Sequence, residues 1–238
     1  MRPGEEKIVV LDPGHGGKDP GAVGPTGLRE ADVVLTVAGW CSAHLKRMGV
    51  KVHFTREIDG FIKLEDRAKF ANEKRADVFL SIHCNSAKNF AQGIETFIAR
   101  RTAVSYPLAE SVQESLTGHF HSTPDRGVKR ANFTVLTRTA MAAALAELEF
   151  IHTRKGEKIL RKSENLERYG KALALGVAQF LGVTDWAFVN ADPEEPEACS
   201  ACEEKQEFKA MTPGDFVEVG ARLSMLETRV ERLEGPGR

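Results

Sequence analysis

Apolar and polar residues alternate along most of this chain in two distinct periods. Ile8-Val9-Val10-Leu11 is an unbroken apolar run rich in β-branched residues, stopped by Pro13 and a glycine cluster, and it reads as a buried strand. Val33, Val34, Val37, Ala38, Cys41, Leu45 and Met48 recur at helical spacing, which predicts an amphipathic helix over 30–48 that closes at Gly49. The same reading gives strands at 50–56, 76–83 and 93–98, and helices at 64–74 and from about 107 to 120. A short strand follows at 133–136, a last strand at 145–151 and a closing helical region over 156–181. Strands alternating with helices predict a three-layer α/β domain, with a mixed, mostly parallel sheet flanked by helices.

Beyond residue 183 the pattern changes. Asp192-Pro193-Glu194-Glu195-Pro196-Glu197 opens an acidic linker over 184–213 that also carries Cys199 and Cys202, at most half of a zinc site. Over 214–238, Phe216, Val219, Leu223, Leu226, Val230 and Leu233 fall at alternating spacings of three and four. Arg222 and Arg229 then occupy g positions and Glu227 and Glu234 e positions, the arrangement of a short parallel coiled coil. This predicts a helical, coiled-coil-like tail that joins copies of the chain through residues 216–233. A single amphipathic helix packed on the main body answers to the same pattern, and three heptads alone are marginal. The expected organisation is therefore 1–183, 184–213 and 214–238.

Composition narrows the class. Hydrophobic residues make up 42% of the 238 and charged residues 28%, ordinary for a globular protein, and no run approaches the eighteen or so apolar residues of a membrane span. The net charge of −1 conceals an asymmetry: residues 184–238 carry 13 acidic and 6 basic side chains, leaving the body with a surplus of cations. A mildly cationic body suits an anionic polymer and equally a plain solvated surface, and no nucleic-acid partner or membrane span is expected.

Candidate chemistry gathers at strand ends. His15 follows the first strand between glycines that let a ligand approach closely, and His83 ends the strand over 76–83. Two strands of a parallel sheet that both end in histidine place their imidazoles on one edge, as a zinc site requires. Glu30, in the first turn of its helix, is by itself a good partner for the helix dipole; beside His15 it becomes a candidate ligand. Cys84 reads as a small buried apolar residue, and His119 with His121, after a helix, as a poor ligand pair. Glu147 and Glu149 share one face of the last strand by alternation. Glu147, embedded between apolar residues, should have a raised pKa and be a usable base.

In order over roughly residues 7–182, these segments resemble the zinc-dependent N-acetylmuramoyl-L-alanine amidases of autolysins, sporulation enzymes and phage endolysins. The matching residues are Asp12-Pro13-Gly14-His15-Gly16-Gly17, Asp19-Pro20-Gly21-Ala22, Gly27 with Glu30, Ser81-Ile82-His83 with Asn85-Ser86, Arg126-Gly127-Val128-Lys129 with Val135-Leu136, and Glu147-Leu148 with Phe150-Ile151. The resemblance implies one catalytic Zn²⁺ held by His15, Glu30 and His83, with Glu147 as general base. It also implies peptidoglycan as substrate, cut at the amide between N-acetylmuramic acid and L-alanine, and makes wall binding a second reading of the tail over 214–238. Where the family generally has glycine, this chain has Glu149. A related zinc peptidase and a non-catalytic wall-binding scaffold are the rival readings; the presence of all three ligand candidates and Glu147 weighs against the scaffold. No apolar signal core precedes Lys7, so the expectation is synthesis in the cytoplasm and access to the wall by holin-type release or mother-cell lysis.

Overall fold

The computed structural model describes residues 6–89, 91–99 and 104–183. In chain order its elements are β1 (Ile8–Pro13), α1 (Glu30–Arg47), β2 (Lys51–Phe54), α2 (Leu64–Glu73), β3 (Val78–Asn85), β4 (Ile94–Ile98), α3 (Ser105–His119), β5 (Asp125–Arg130), α4 (Thr134–Thr137), β6 (Ala142–Phe150), α5 (Arg154–Leu160) and α6 (Ser163–Leu181). The acidic linker with Cys199 and Cys202 and the heptad segment over 214–238 lie outside the described residues.

The six strands form one sheet in the order β2-β1-β3-β6-β4-β5. The pairings β2–β1, β1–β3, β3–β6 and β4–β5 are parallel, and β4–β6 is antiparallel. Pleating sends successive side chains to opposite faces. Val9, Leu11, Val78, Leu80, Ile82, Ala144, Ala146 and Leu148 join the apolar faces of α1, α3 and α6 in the larger core. Val10, Phe79, Ala143 and Leu145 join Ala71 of α2 and Val135 and Leu136 of α4 in the smaller one. The expected three layers are present, and the helices cover both faces of a mixed sheet. No helix among the described residues is long and apolar enough to cross a membrane.

Three local expectations change. The strand expected at 133–136 is the helical turn α4: Val135 and Leu136 are both buried in the same core, which alternation in a strand would forbid. The strand in this region is β5, whose residues are mostly polar and exposed or half-buried, so hydrophobic periodicity did not mark it. The closing helical region divides at Arg161 and Lys162 into α5 and α6. The last strand is longer than its apolar run, because Ala142, Ala143 and Ala144 pair with Val78, Phe79 and Leu80 and are buried between helical layers where small side chains fit.

Candidate metal centre

β1 delivers the chain to a tight turn in which His15 has φ 60, Gly16 φ 116 and Gly17 φ 60. A left-handed histidine is uncommon and is retained only where its surroundings impose it. Those surroundings are two buried arginines. Arg67 donates from Nη1 to the Asp12 carboxylate and the Pro13 carbonyl, both at 2.8 Å, and from Nη2 to the His15 carbonyl at 2.6 Å. Arg56 donates to the carbonyls of Pro13, Gly14 and Ala31 at 2.9, 2.7 and 2.9 Å. Asp12 also accepts from Thr55 and Ser81, so its buried charge is fully partnered.

Three side chains meet above this turn. His15 Nε2 lies 3.2 Å from Glu30 Oε1, and His83 Nδ1 lies 2.9 Å from the same oxygen. One ligand atom from each of His15, Glu30 and His83 can be chosen such that all lie within 4.8 Å of one another. The backbone N–H groups of Cys84 and Ala22 donate to Glu30 Oε1 and Oε2, each at 2.9 Å, and fix the carboxylate. Burial alone would raise the Glu30 pKa, but hydrogen bonds from His15 and His83 outweigh it and hold the carboxyl well below the usual range.

Glycines make the cluster compact. A Cβ on Gly14 would stand 2.1 Å from His83 Cε1, and one on Gly21 would stand 2.7 Å from both Glu30 Oε2 and His15 Cδ2. Any larger residue would push the ligand set apart.

The donor set fits a divalent cation. Asp19 Oδ2 lies 2.9 Å from His15 Nδ1, and an ionised carboxylate can only accept, so Nδ1–H donates to it and Nε2 is turned toward Glu30. A divalent cation would take the place of the proton that His15 Nε2 shares with Glu30, and two imidazoles with one carboxylate are the ligands of a catalytic zinc with an open position.

Glu147 adjoins the cluster through the sheet itself. In register it stands opposite His83 on β3 and opposite Glu95 on β4. Its Oε2 is buried and makes no hydrogen bond among the described residues. Burial, followed by the nearby charges of Glu30 and Glu95, pushes its carboxyl well above the ordinary value. The arrangement suits a proton acceptor beside the candidate metal ligands.

Glu149 is differently employed. The pairing of β3 with β6 shifts register after His83 and Glu147, so simple alternation fails at this point. Glu149 Oε1 accepts the N–H groups of Gly93 at 3.0 Å and Phe150 at 2.8 Å. Cys84 is buried, and burial followed by its three carboxylate neighbours pushes its thiol up, away from thiolate chemistry. His119 faces the Ser115 carbonyl at 2.8 Å at the end of α3. Sequence reasoning missed Arg56 and Arg67 as supports of the His15 turn. Their only signal was charge within or beside apolar segments, which says nothing of partners elsewhere in the chain.

Comparison with known proteins places this geometry in context. Residues 9–179 match the family model described as N-acetylmuramoyl-L-alanine amidase. The chain is 33% identical over 200 residues to the endolysin of Bacillus phage SPP1, covering 82% of this chain and 73% of that protein. It is 36% identical over 173 residues to the sporulation-specific N-acetylmuramoyl-L-alanine amidase of Bacillus subtilis, covering 72% and 67%. Among solved structures, the N-acetylmuramoyl-L-alanine amidase AmiC2 of Nostoc punctiforme superposes with a TM-score of 0.71 at 34% identity, covering 74% of this chain and 97% of that one.

Proposed function

We propose that this chain, which belongs to the N-acetylmuramoyl-L-alanine amidase family and hydrolyses the amide between N-acetylmuramic acid and L-alanine in peptidoglycan, holds zinc with His15, Glu30 and His83 and uses Glu147 as its base. The observation that carries this reading is the convergence of His15, Glu30 and His83 beside Glu147, whose buried Oε2 has no hydrogen-bond partner among the described residues. A zinc ion in this position would supply Lewis acidity to the lactyl carbonyl and bring the pKa of water near neutrality.

The remaining work falls to the protein. Glu147, with its raised proton affinity, takes the proton of the attacking water and returns it to the alanine nitrogen as the carbon–nitrogen bond breaks. Asp19 fixes the His15 tautomer throughout. Arg56 and Arg67 keep the turn rigid, so the ligand set does not relax when the substrate binds. The products are a lactyl carboxylate on the glycan and a stem peptide with a free N-terminal alanine.

In this reading residues 1–183 are the catalytic domain, 184–213 a linker, and 214–238 a tail that joins copies through residues 216–233 or binds the wall. Similarity to a phage endolysin and a sporulation-specific amidase supports delivery to the wall by lysis of the producing cell. The test is digestion of purified peptidoglycan with and without a chelator, zinc re-addition and mass analysis of the soluble fragments. Zinc-restored release of alanine-terminated stem peptides, with no new reducing sugar ends, is expected. Release of single amino acids instead would point to a peptidase.

A further inference from the structure

The row of groups across the sheet continues past the catalytic residue. His83, Glu147 and Glu95 are register partners on β3, β6 and β4, so their side chains share one face. On β5, next in the row, Arg126 donates from Nε to Glu95 Oε2 at 2.7 Å, and Lys129 Nζ donates to the same oxygen. Asn85 Nδ2 donates to Glu95 Oε1. Glu95 is thus fully engaged and buried, whereas the two cations remain about one-third exposed, at 33% for Arg126 and 37% for Lys129.

This cluster carries one positive charge more than Glu95 neutralises. Asp125 does not compensate it: its Oδ1 accepts from Gln113 of α3 and from the Gly127 N–H. The Arg126 guanidinium carbon lies 5.0 Å from the centre of the Phe150 ring, and neither Nη atom makes a hydrogen bond among the described residues. A guanidinium packed on a ring, anchored at Nε and open at both Nη atoms, is prepared to grip a carboxylate with two donors.

We propose that Arg126 and Lys129 form the subsite for the free α-carboxylate of the second stem residue, so that the enzyme favours stems with D-glutamate over those amidated to D-isoglutamine at this position. The proposal rests on Glu147 marking the scissile amide. Because D-glutamate is linked onward through its side chain, its α-carboxylate is free. It lies roughly 8 Å from the lactyl carbonyl in an extended peptide, given about 3.8 Å between successive Cα atoms. β5 is two strands from β6, about 10 Å at the usual spacing. Long Arg and Lys side chains reaching back toward Glu95 cover the difference. An extended stem peptide laid across β4 toward β5 therefore brings its first free carboxylate to Arg126 and Lys129.

The test compares kcat/KM on two disaccharide-tetrapeptides that differ only in D-glutamate or D-isoglutamine at the second position. Wild type should prefer the acid about tenfold or more, as expected for a charge-assisted contact. In Arg126→Gln and Lys129→Gln the ratio should fall toward one, chiefly through a higher KM for the acid. A purely structural effect would slow both substrates alike and leave the ratio unchanged, which would overturn the proposal. Equal use of both substrates by wild type would overturn it while leaving the assignment of Glu147 intact. Failure to cleave either would remove both readings.

Discussion

Arg67 Nη1 stands 2.8 Å from Asp12 Oδ1 with both side chains almost wholly buried, and the same guanidinium holds the carbonyl of His15. One ion pair thereby ties α2 to the end of β1 and to the turn that presents a candidate ligand. Removing one partner of such a pair strands the other charge in the interior. Arg67→Met should destabilise the fold by about 3–5 kcal/mol in urea denaturation. Arg67→Lys, a point charge without the fork, should recover only part of this loss. If Arg67→Met unfolded at the wild-type urea concentration, the pair would not be holding the turn.

Glu147→Gln should leave the fold and bound zinc in place and lower the hydrolytic rate by about 10²–10⁴-fold, the usual contribution of a general base. Zinc content by atomic emission and turnover on purified peptidoglycan check the two halves separately. Glu149→Gln should instead act through stability, since Glu149 receives the amides of Gly93 and Phe150. Retained activity in Glu147→Gln with loss in Glu149→Gln would reverse the assignment.

Gly14→Ala places a methyl 2.1 Å from His83 Cε1, a separation no real contact sustains. The variant should bind zinc weakly or not at all while keeping its α/β circular dichroism. Wild type should gain stability on zinc addition, about 2.7 kcal/mol at a hundredfold excess over Kd, and the variant little. An equal thermal shift in both proteins would contradict the reading of the site.

Glu157 on α5 accepts from the Thr26 N–H and hydroxyl and the Leu28 N–H, and pins the loop that leads into Glu30. Burial opposes ionisation, but these hydrogen bonds, with Arg161, prevail and lower its pKa. Its stabilisation should be fully present above the ordinary glutamate pKa and fade as the pH falls through the lowered folded-state value. Glu157→Gln should cost about 1–2 kcal/mol at neutral pH and flatten the acid limb of stability against pH. An unchanged acid limb would show that Glu157 contributes nothing there.

The sequence by itself determined the layering and the ligand candidates. Ile8–Leu11 and the strand ending at His83 could be read because buried parallel strands are continuous apolar runs, and Val33 to Leu45 because a helix buries one stripe. Motif order brought His15, Glu30, His83 and Glu147 into one expectation. Tertiary structure decided what periodicity does not encode. β5 is polar enough to escape notice, and Val135-Leu136 is too short for its period to be told. Which glutamate of the Glu147–Glu149 pair keeps a buried oxygen without a partner among the described residues depended on a register shift and on the Gly93 amide reaching Glu149. That Arg67 and Arg56 brace the His15 turn depended on contacts 40 and more residues away in the chain. Burial is a local property that leaves a local pattern, whereas a hydrogen-bond partner is chosen by the folded geometry.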